Sequence, residues 1–566
     1  MHFLDTFSKE LRCIPVVSEY SASIAAEYFN ESSEECKAFA LVTAGPGLTN
    51  AVTGIAGAYL ESRELLIIGG QVKQLDLNHS SARQMGIQEV DGVAIVRSIT
   101  KVSHRVTTPV DLGQIEEFIR LGMTDRKGPV FLEVPLDVQA SDDIQTSPMK
   151  SSQIPNRSST NDLDLPILVE QTLKLLKESY RPILLIGGGV SRSRIESIYD
   201  PLIRAGLPMM TTWNGADRLG SQEVLYFGRP NTWGMRYSNI LLQQADLVIA
   251  VGTRLGLQQT GFNFGGFVPN GTIVQVDIDK SEHKTSKLRD IRAFSADANV
   301  FLEYLIKYLY REDFRYPKWV QYCQEVKEVL PLSEKSNRNF AGFFNPYDFV
   351  LDVSRCLTTK DILIPSSSGS SMTVTMQSLL QPRGTRIITN KSLASMGYGL
   401  SGAIGAAFAN PRKRIIHFEG DGGFAQNIQE IGTVGINDLN IKMFIWENNG
   451  YASIRMTQLN YFAGRYIGCD RSSGLGLPNL TKLFKMYDIP VYTLDSNIGV
   501  SDDQRVQALL RENGPAAFIV PIHPEQTFYP KISSRISREG GMESAPIHLM
   551  TPELDEKDWL KVSRYL

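Results

Sequence analysis

The reading of the fold turns on Arg414-Ile415-Ile416-His417-Phe418-Glu419-Gly420-Asp421-Gly422-Gly423-Phe424, taken with Ile441-Lys442-Met443-Phe444-Ile445-Trp446-Glu447-Asn448-Asn449-Gly450-Tyr451. Each stretch opens as a short apolar run, the pattern of a buried parallel strand. Between them, Ala425 to Asn437 carries its apolar residues on one face, so the unit reads strand, helix, strand. Parallel strands end on the same sheet edge, where α/β folds place their ligands. Asp421 leaves one strand end and Asn448 the other. Together with a backbone carbonyl near Gly450 they offer three oxygens to a hard cation. No His or Cys is among them, a set that suits Mg²⁺ carrying phosphate oxygens. Gly420, Gly422 and Gly423 let backbone N–H groups approach an anion at the helix start.

Length and composition bound the rest. A chain of 566 residues is expected to form about three domains. Hydrophobic residues make up 42% and charged residues 21%, enough for each domain to bury a core. A formal net charge of −3 gives no reason to expect nucleic acid or an anionic membrane as partner. The five cysteines are scattered without a CxxC pair, which fits reduced thiols and a cytoplasmic location. The seven histidines form no HExxH spacing. No apolar run is long enough to span a membrane.

Working outward to the start, Ile14-Pro15-Val16-Val17 reads as a strand ending at Ser18-Glu19, followed by a helix from Ser21 to Phe29. Ala38 to Thr43 is a strand. Ala44-Gly45-Pro46-Gly47-Leu48-Thr49-Asn50 is a tight turn opening a small-residue helix. Glu64 to Ile68 and Gly128 to Pro135 are further strands, the second closing the domain. Ser141 to Asp164 is rich in Ser, Asn, Pro and Asp and reads as a linker. The next region repeats the alternation. Arg181–Ile186 leads into Gly187-Gly188-Gly189, Asp246–Val251 into Gly252-Thr253-Arg254, and Thr272–Ile278 into acids. Glycine exits with an acid at a later strand end are the pattern of a dinucleotide site. A second linker, Pro331 to Pro346, leads to a third region that opens with Asp361–Pro365. It continues through Lys391 to Phe408, where Ser395-Met396-Gly397-Tyr398-Gly399 precedes a small-residue helix.

Gly-Asp-Gly followed by Asn-Asn just under thirty residues later resembles the diphosphate-binding motif of thiamine diphosphate (ThDP) enzymes. The order strand–Glu–helix–strand–GPG–helix–strand–GGQV resembles the pyrimidine-binding domain of the acetolactate synthase (large subunit)-like family within them. The resemblance covers nearly the whole chain. It implies an α/β protein of three doubly wound parallel-sheet domains. Residues 1–140 would bind the ThDP pyrimidine, 165–310 would form a central FAD-type domain, 345–530 would bind the diphosphate, and 531–566 would be a C-terminal tail. Family members carry about thirty more residues before the activating Glu, so either Met1 is an internal start or the first strand is absent, which would leave a sheet edge open.

Residue by residue, the resemblance assigns Glu19 as the buried carboxyl of raised pKa that shares a proton with the coenzyme's aminopyrimidine, with Ser18 where many members carry His. Gly45 and Gly47 would shape the coenzyme turn. Gln88, in Met85-Gly86-Ile87-Gln88-Glu89, would approach the substrate. Met396 would be the wedge that bends ThDP, and the carbonyl of Ala394 would accept its amino hydrogen. Asp421, Asn448 and Gly450 would hold Mg²⁺. Gly187, Gly188, Gly189, Gly252, Arg254, Asp277 and Asp297 would bind FAD, although some ThDP enzymes place ADP here and others nothing. Two departures concern the acceptor. Thr457 stands where the family carries a Trp, and Gln258 where it carries a carboxylate-binding Arg. A larger pocket without the Arg fork points to a bulkier acceptor carbonyl, such as the keto group of a nucleotide-bound sugar, as in the branched-sugar-pathway branch. The implied activity is decarboxylation of a 2-keto acid, most simply pyruvate, and transfer of its two-carbon unit to a second carbonyl. Pyruvate as acceptor would give acetolactate. A flavin-dependent 2-keto acid oxidase or decarboxylase, and a catalytically inactive paralogue, remain open at this point. The implied assembly is a homodimer or homotetramer, with a regulatory subunit left open.

Overall fold

In a computed structural model the chain is described at residues 2–146, 164–285, 287–312, 314–366, 369–536 and 542–566. The expected first linker, Ser141 to Asp164, lies for the most part outside the described residues. Three parallel sheets carry the fold, each flanked by helices, as an α/β chain alternating in this way should form.

The first sheet contains β1 (Phe39–Val42), β2 (Leu65–Gln71), β3 (Val102–Arg105) and β4 (Pro129–Pro135), in the order β1-β2-β4-β3. β4 comes last in the sequence but is buried at all seven positions, because it is inserted between β2 and β3. β1 and β3 are the edge strands. The helix α1 (His2–Glu10) reaches β1 through Phe7, whose ring meets Phe39 at 5.3 Å. The strand expected at Ile14–Val17 is not formed. Pro15 has no N–H to give to a ladder, and the N–H groups of Val17 and Ser18 donate instead to the buried carboxylate of Glu430, at 3.0 and 3.1 Å.

The second sheet contains β5 (Pro182–Ile186), β6 (Met209–Thr211), β7 (Leu247–Val251), β8 (Thr272–Asp277) and β9 (Ile291–Ser295), ordered β9-β8-β7-β5-β6. The strand order therefore reverses between β5 and β7. The third contains β10 (Ile362–Pro365), β11 (Arg386–Ile387), β12 (Ile415–Gly420), β13 (Ile441–Glu447), β14 (Val491–Thr493) and β15 (Ala516–Pro521), ordered β11-β10-β12-β13-β15-β14. β12 and β13 pair in parallel from Ile415↔Ile441 to Gly420↔Trp446, so Asp421 and Asn448 emerge side by side.

The third sheet's core does not stop at its own domain. Helix α2 (Glu19–Ser32), capped by Ser18, sends Ile24 and Tyr28 into it. Helix α3 (Pro46–Glu61) follows β1. Helix α4 (Tyr398–Ala409) is the small-residue helix, and its glycines serve helix–helix contact as well as the sheet. A Cβ on Gly405 would lie 2.0 Å from the Ala25 carbonyl oxygen, and one on Gly402 2.7 Å from the Tyr28 ring. Only Gly lets the backbones of α2 and α4 come this close. The residues after 530 fold back on the middle domain. Ile547 and Val562, the latter from α8 (Glu556–Val562), belong to its core. No helix among the described residues is long and apolar enough to cross a membrane.

Candidate active site

The helix expected from Ala425 to Asn437 is broken. After β12 come a short helix α5 (Asp421–Phe424), a 3₁₀ stretch, and α6 (Ile431–Ile436). The break is at Asn427, whose φ of −144° is not helical. Its side chain is buried and cross-links two domains. It exchanges hydrogen bonds with Ser21 Oγ, and its Nδ2 donates to the carbonyl of Gly397 and to Ser401 Oγ. These contacts outcompete one turn of regular helix. The break also lets α5 start at Asp421 without committing the following residues to its axis.

Asp421 is buried. Its Oδ1 accepts from Gly422 N–H at 2.7 Å and its Oδ2 from Gly450 N–H at 3.1 Å. The Gly422 N–H, expected to meet an anion, is turned to the Asp421 carboxylate in this structure. Gly422 also makes room for a ring, since a Cβ would lie 2.4 Å from Tyr451 Cδ1. Burial pushes the Asp421 carboxyl up to about 7, against the pull of its backbone donors. The side-chain oxygen of Asn448 lies 2.8 Å from the Gly450 carbonyl oxygen and 3.3 Å from Asp421 Oδ1. Three oxygens meeting this closely repel one another unless a cation lies among them or the amide turns to present its NH₂. Neighbouring ligands of an octahedral Mg²⁺ sit about 3 Å apart. With the amide oxygen turned inward these residues would offer Mg²⁺ one carboxylate, one amide and one backbone carbonyl, and with the NH₂ inward the amide instead donates to Gly450 O and Asp421 Oδ1. Gly450 must be glycine, because its φ is +131° and a Cβ would meet the Cys469 carbonyl oxygen at 2.2 Å.

The 394–397 loop, where the coenzyme is expected, is shaped by left-handed backbone at Ala394 (φ +52°) and Gly397 (φ +76°). Such a conformation at Ala394 is costly for a residue with a Cβ, and it turns the carbonyl away from the regular chain direction. Met396 is half-buried. Its carbonyl accepts from Tyr20 OH at 2.9 Å, and its sulfur meets Gln426 Nε2 at 3.4 Å. Glu19 begins α2, half-buried, and accepts from Asn50 Nδ2 at 3.0 Å. Gly45 and Gln88 meet. A Cβ on Gly45 would lie 2.1 Å from the Gln88 carbonyl oxygen, and both residues have positive φ. A Cβ on Gly47 would meet the Thr43 side chain at 2.9 Å.

In the middle domain Gly187, Gly252, Arg254 and Asp277 all follow or close strands at the carboxyl edge, around the reversal of strand order. The glycines pack on one another. Gly187 N–H donates to Val251 O at 2.8 Å and Gly189 N–H to Gly252 O at 3.0 Å. A Cβ on Gly187 would lie 2.1 Å from Gly252 O, and one on Gly188 2.9 Å from Asn214 Cβ. Asp277 is buried, which raises its pKa, and accepts from Asp279 N–H at 2.9 Å. Asp297 caps the following helix through Asn299 N–H at 2.7 Å. Arg254 is exposed, with Nη2 donating to Ser392 Oγ at 3.2 Å. Three buried polar atoms near this edge, Asn214 Oδ1, Gln275 Oε1 and His283 Nε2, have no hydrogen-bond partner among the described residues. Such atoms call for one, and this edge fits a polar dinucleotide such as FAD.

Thr457 and Gln258 are both exposed. Thr457 Oγ1 donates to Ser453 O within the helix α7 (Ala452–Tyr461), and Gln258 O accepts from Thr232 N–H. The structure records no contact joining them. Sequence reasoning missed Tyr20, Asn427, Glu430 and Arg455, which hold the site from behind. Buried polar residues in helical or loop stretches were the available signal.

The comparisons with known proteins follow the same three-part division. Residues 1–95 match the thiamine pyrophosphate enzyme N-terminal TPP binding domain, 169–305 the central domain, and 367–520 the C-terminal TPP binding domain. The chain is 28% identical over 533 residues to the acetolactate synthase isozyme 1 large subunit of Escherichia coli (strain K12), covering 93% of this chain and 89% of that one. It is 27% identical over 511 residues to acetolactate synthase 1, chloroplastic, of Nicotiana tabacum, covering 87% and 73%. It is likewise 27% identical over 524 residues to the acetolactate synthase large subunit of Cyanidium caldarium, covering 91% and 86%. With all three domains of one family in order along the chain, and this similarity running through them, the protein belongs to the thiamine pyrophosphate enzymes and is an enzyme of the acetolactate synthase type.

Proposed function

We propose that this protein is a ThDP- and Mg²⁺-dependent carboligase that decarboxylates a 2-keto acid, most simply pyruvate, and joins the two-carbon unit to a second carbonyl. The observation that carries the reading is the convergence of the Asp421 carboxylate, the Asn448 amide and the Gly450 carbonyl at two adjacent strand ends. In this reading they hold Mg²⁺ against the coenzyme's diphosphate. When bound, ThDP supplies the electron sink that a 2-keto acid needs in order to lose CO₂. Met396 and the Ala394 carbonyl orient the coenzyme's ring. Glu19 holds a proton at the ring nitrogen, and Gln88 approaches the substrate on the loop that Gly45 touches. Glu19 and Asp421 each hydrogen-bond within their own domain, and a second copy of the chain that brings one copy's Glu19 to the other's Asp421 is part of the proposal. So is a cytoplasmic location, on the strength of five free cysteines.

FAD belongs to the reading through the carboxyl edge of the middle sheet. Purified protein is expected to be yellow or to take up FAD, and uptake of ADP alone would move the domain to the ADP-binding kind. The acceptor is the finer part. Thr457 and Gln258 present no ring and no cation, which supports a carbonyl bulkier than pyruvate, such as that of a nucleotide-bound keto-sugar. Incubation with pyruvate alone and with candidate ketones, followed by product mass, tests both levels. No carbon–carbon product from any pair would overturn the carboligase. Acetolactate formed in preference to every larger product, unchanged in Thr457→Trp, would overturn the bulky acceptor alone.

A further inference from the structure

Arg455 is the buried residue of α7, 6% exposed. An arginine in that position is unusual, since Arg is almost never buried without a partner. Its direction explains it. Side chains on a helix lean toward the N-terminus, so a long side chain at the first turn reaches back over the loop that precedes it. Arg455 Nη2 donates to the carbonyl of Asn448 at 2.8 Å and Nη1 to that of Asn449 at 3.4 Å. Asp470 Oδ2 stands 3.7 Å from Nη1. Asp470 is itself fixed, accepting from Ser472 Oγ at 2.8 Å and Ser473 N–H at 2.9 Å. From the same turn the Cys469 carbonyl accepts from Tyr451 N–H at 2.7 Å and presses on Gly450. Residues 448–451 are thus gripped between a guanidinium fork and the 469–473 turn. They need the grip, because Asn449 (φ +64°) and Gly450 (φ +131°) are both left-handed and no regular element holds them.

We infer that Arg455 is a positioning residue that keeps the Asn448 amide and the Gly450 carbonyl turned toward a divalent cation, with Asp470 balancing its charge. The inference rests on the cation reading of the site. The fork matters as well as the charge, since it spans two successive carbonyls, which a lysine ammonium cannot do in a fixed plane. Arg455 acts through the loop, whose Asn448 and Asn449 carbonyls it holds.

The test uses the full chain with MnCl₂ as the probe, at saturating ThDP, reading free Mn²⁺ by electron paramagnetic resonance. Melting of the metal-free protein is followed in parallel. Arg455→Met is expected to weaken Mn²⁺ binding by tenfold or more. Arg455→Lys, which keeps charge and stem, is expected to recover only part of that loss while melting within a few degrees of wild type. Asp470→Asn is expected to weaken binding less than Arg455→Met does. Wild-type Mn²⁺ affinity in Arg455→Lys and Arg455→Met overturns the inference. So does full recovery in Arg455→Lys, which would make the charge alone sufficient. Loss of affinity only in step with loss of melting temperature assigns Arg455 to stability and overturns it too. A wild-type protein that binds no Mn²⁺ with ThDP would instead overturn the cation reading itself.

Discussion

Asp421 and Glu19 are asked to do different work, and substitution should separate them. Asp421→Ala removes the one charged donor at the cation corner, so ThDP retention in Mg²⁺ should fall about a hundredfold or more. FAD retention should be unchanged, and equilibrium dialysis of both cofactors checks this. Glu19→Gln should keep ThDP bound yet slow exchange of its thiazolium proton by about a hundredfold or more, read by NMR in deuterated buffer. At this scale the sequence was most legible in placing residues at strand ends, as with Asp421, Asn448 and Asp277. It was silent where a role depends on which way a side chain leans. Arg455 reads as an ordinary exposed helix residue until its helix is oriented, and Asn50 reads as a turn residue until it meets Glu19. Gln88 was singled out for its side chain, whereas its backbone conformation and its contact with Gly45 could not be read at all.

Elements were legible through apolar runs, and illegible where a polar residue redirects them. Central strands such as Pro182–Ile186 and Leu247–Val251 are short aliphatic runs with Gly exits, whereas Val102–Arg105 and Val491–Thr493 are mixed in character. Ile14–Val17 has the aliphatic look too and is not a strand, because its donors find a carboxylate from another domain. The break at Asn427 was hidden for a related reason, since its partners lie far away in sequence. Asn427→Ala should leave Ser401 Oγ and the Gly397 carbonyl without their partner, at a cost of about 2–3 kcal/mol, seen as a melting point lowered by several degrees. The residues after 530 are expected to respond to pH. Burial holds His548 down at about 4, below its ordinary 6.5, where Gln243 Nε2 meets its Nδ1 at 3.2 Å. The folded pKa lies below the unfolded one, so the neutral ring is what the fold favours. That contribution, at most about 3 kcal/mol, is complete above pH 6.5 and is lost as pH falls toward 4. Trp559, stacked on His548 at 6.3 Å, should report loosening in that window, and His548→Gln should flatten the response.

The three domains are joined by buried charge as well as by apolar surface. Glu27 and Glu31 on α2 face Arg63, which also donates to the Thr389 carbonyl at 2.7 Å. Tyr398 OH donates to Glu27. Arg192 of the middle domain bridges Glu31 at 2.9 Å and Asp217 at 2.7 Å, and Asp217 accepts from Ile387 N–H in the third sheet. Arg192→Met should strip Asp217 and Glu31 of that shared partner. A stability loss of about 3 kcal/mol is expected, with trypsin cutting between domains at lower urea than in wild type. The parallel α/β plan was readable because strand–helix alternation leaves few other architectures. The way α2 enters the third domain's core was not, since small residues on α4 tell only that something comes close. One consequence concerns how the chain is made. Ile547 and Val562 complete the middle domain's core, and Asn239 and Gln244 give their side-chain N–H groups to the carbonyls of those two residues. On the ribosome, then, the middle domain must wait with an uncovered apolar face until the whole third domain has been translated. A message cut short before that point should yield a polypeptide that chaperones hold and proteases clear.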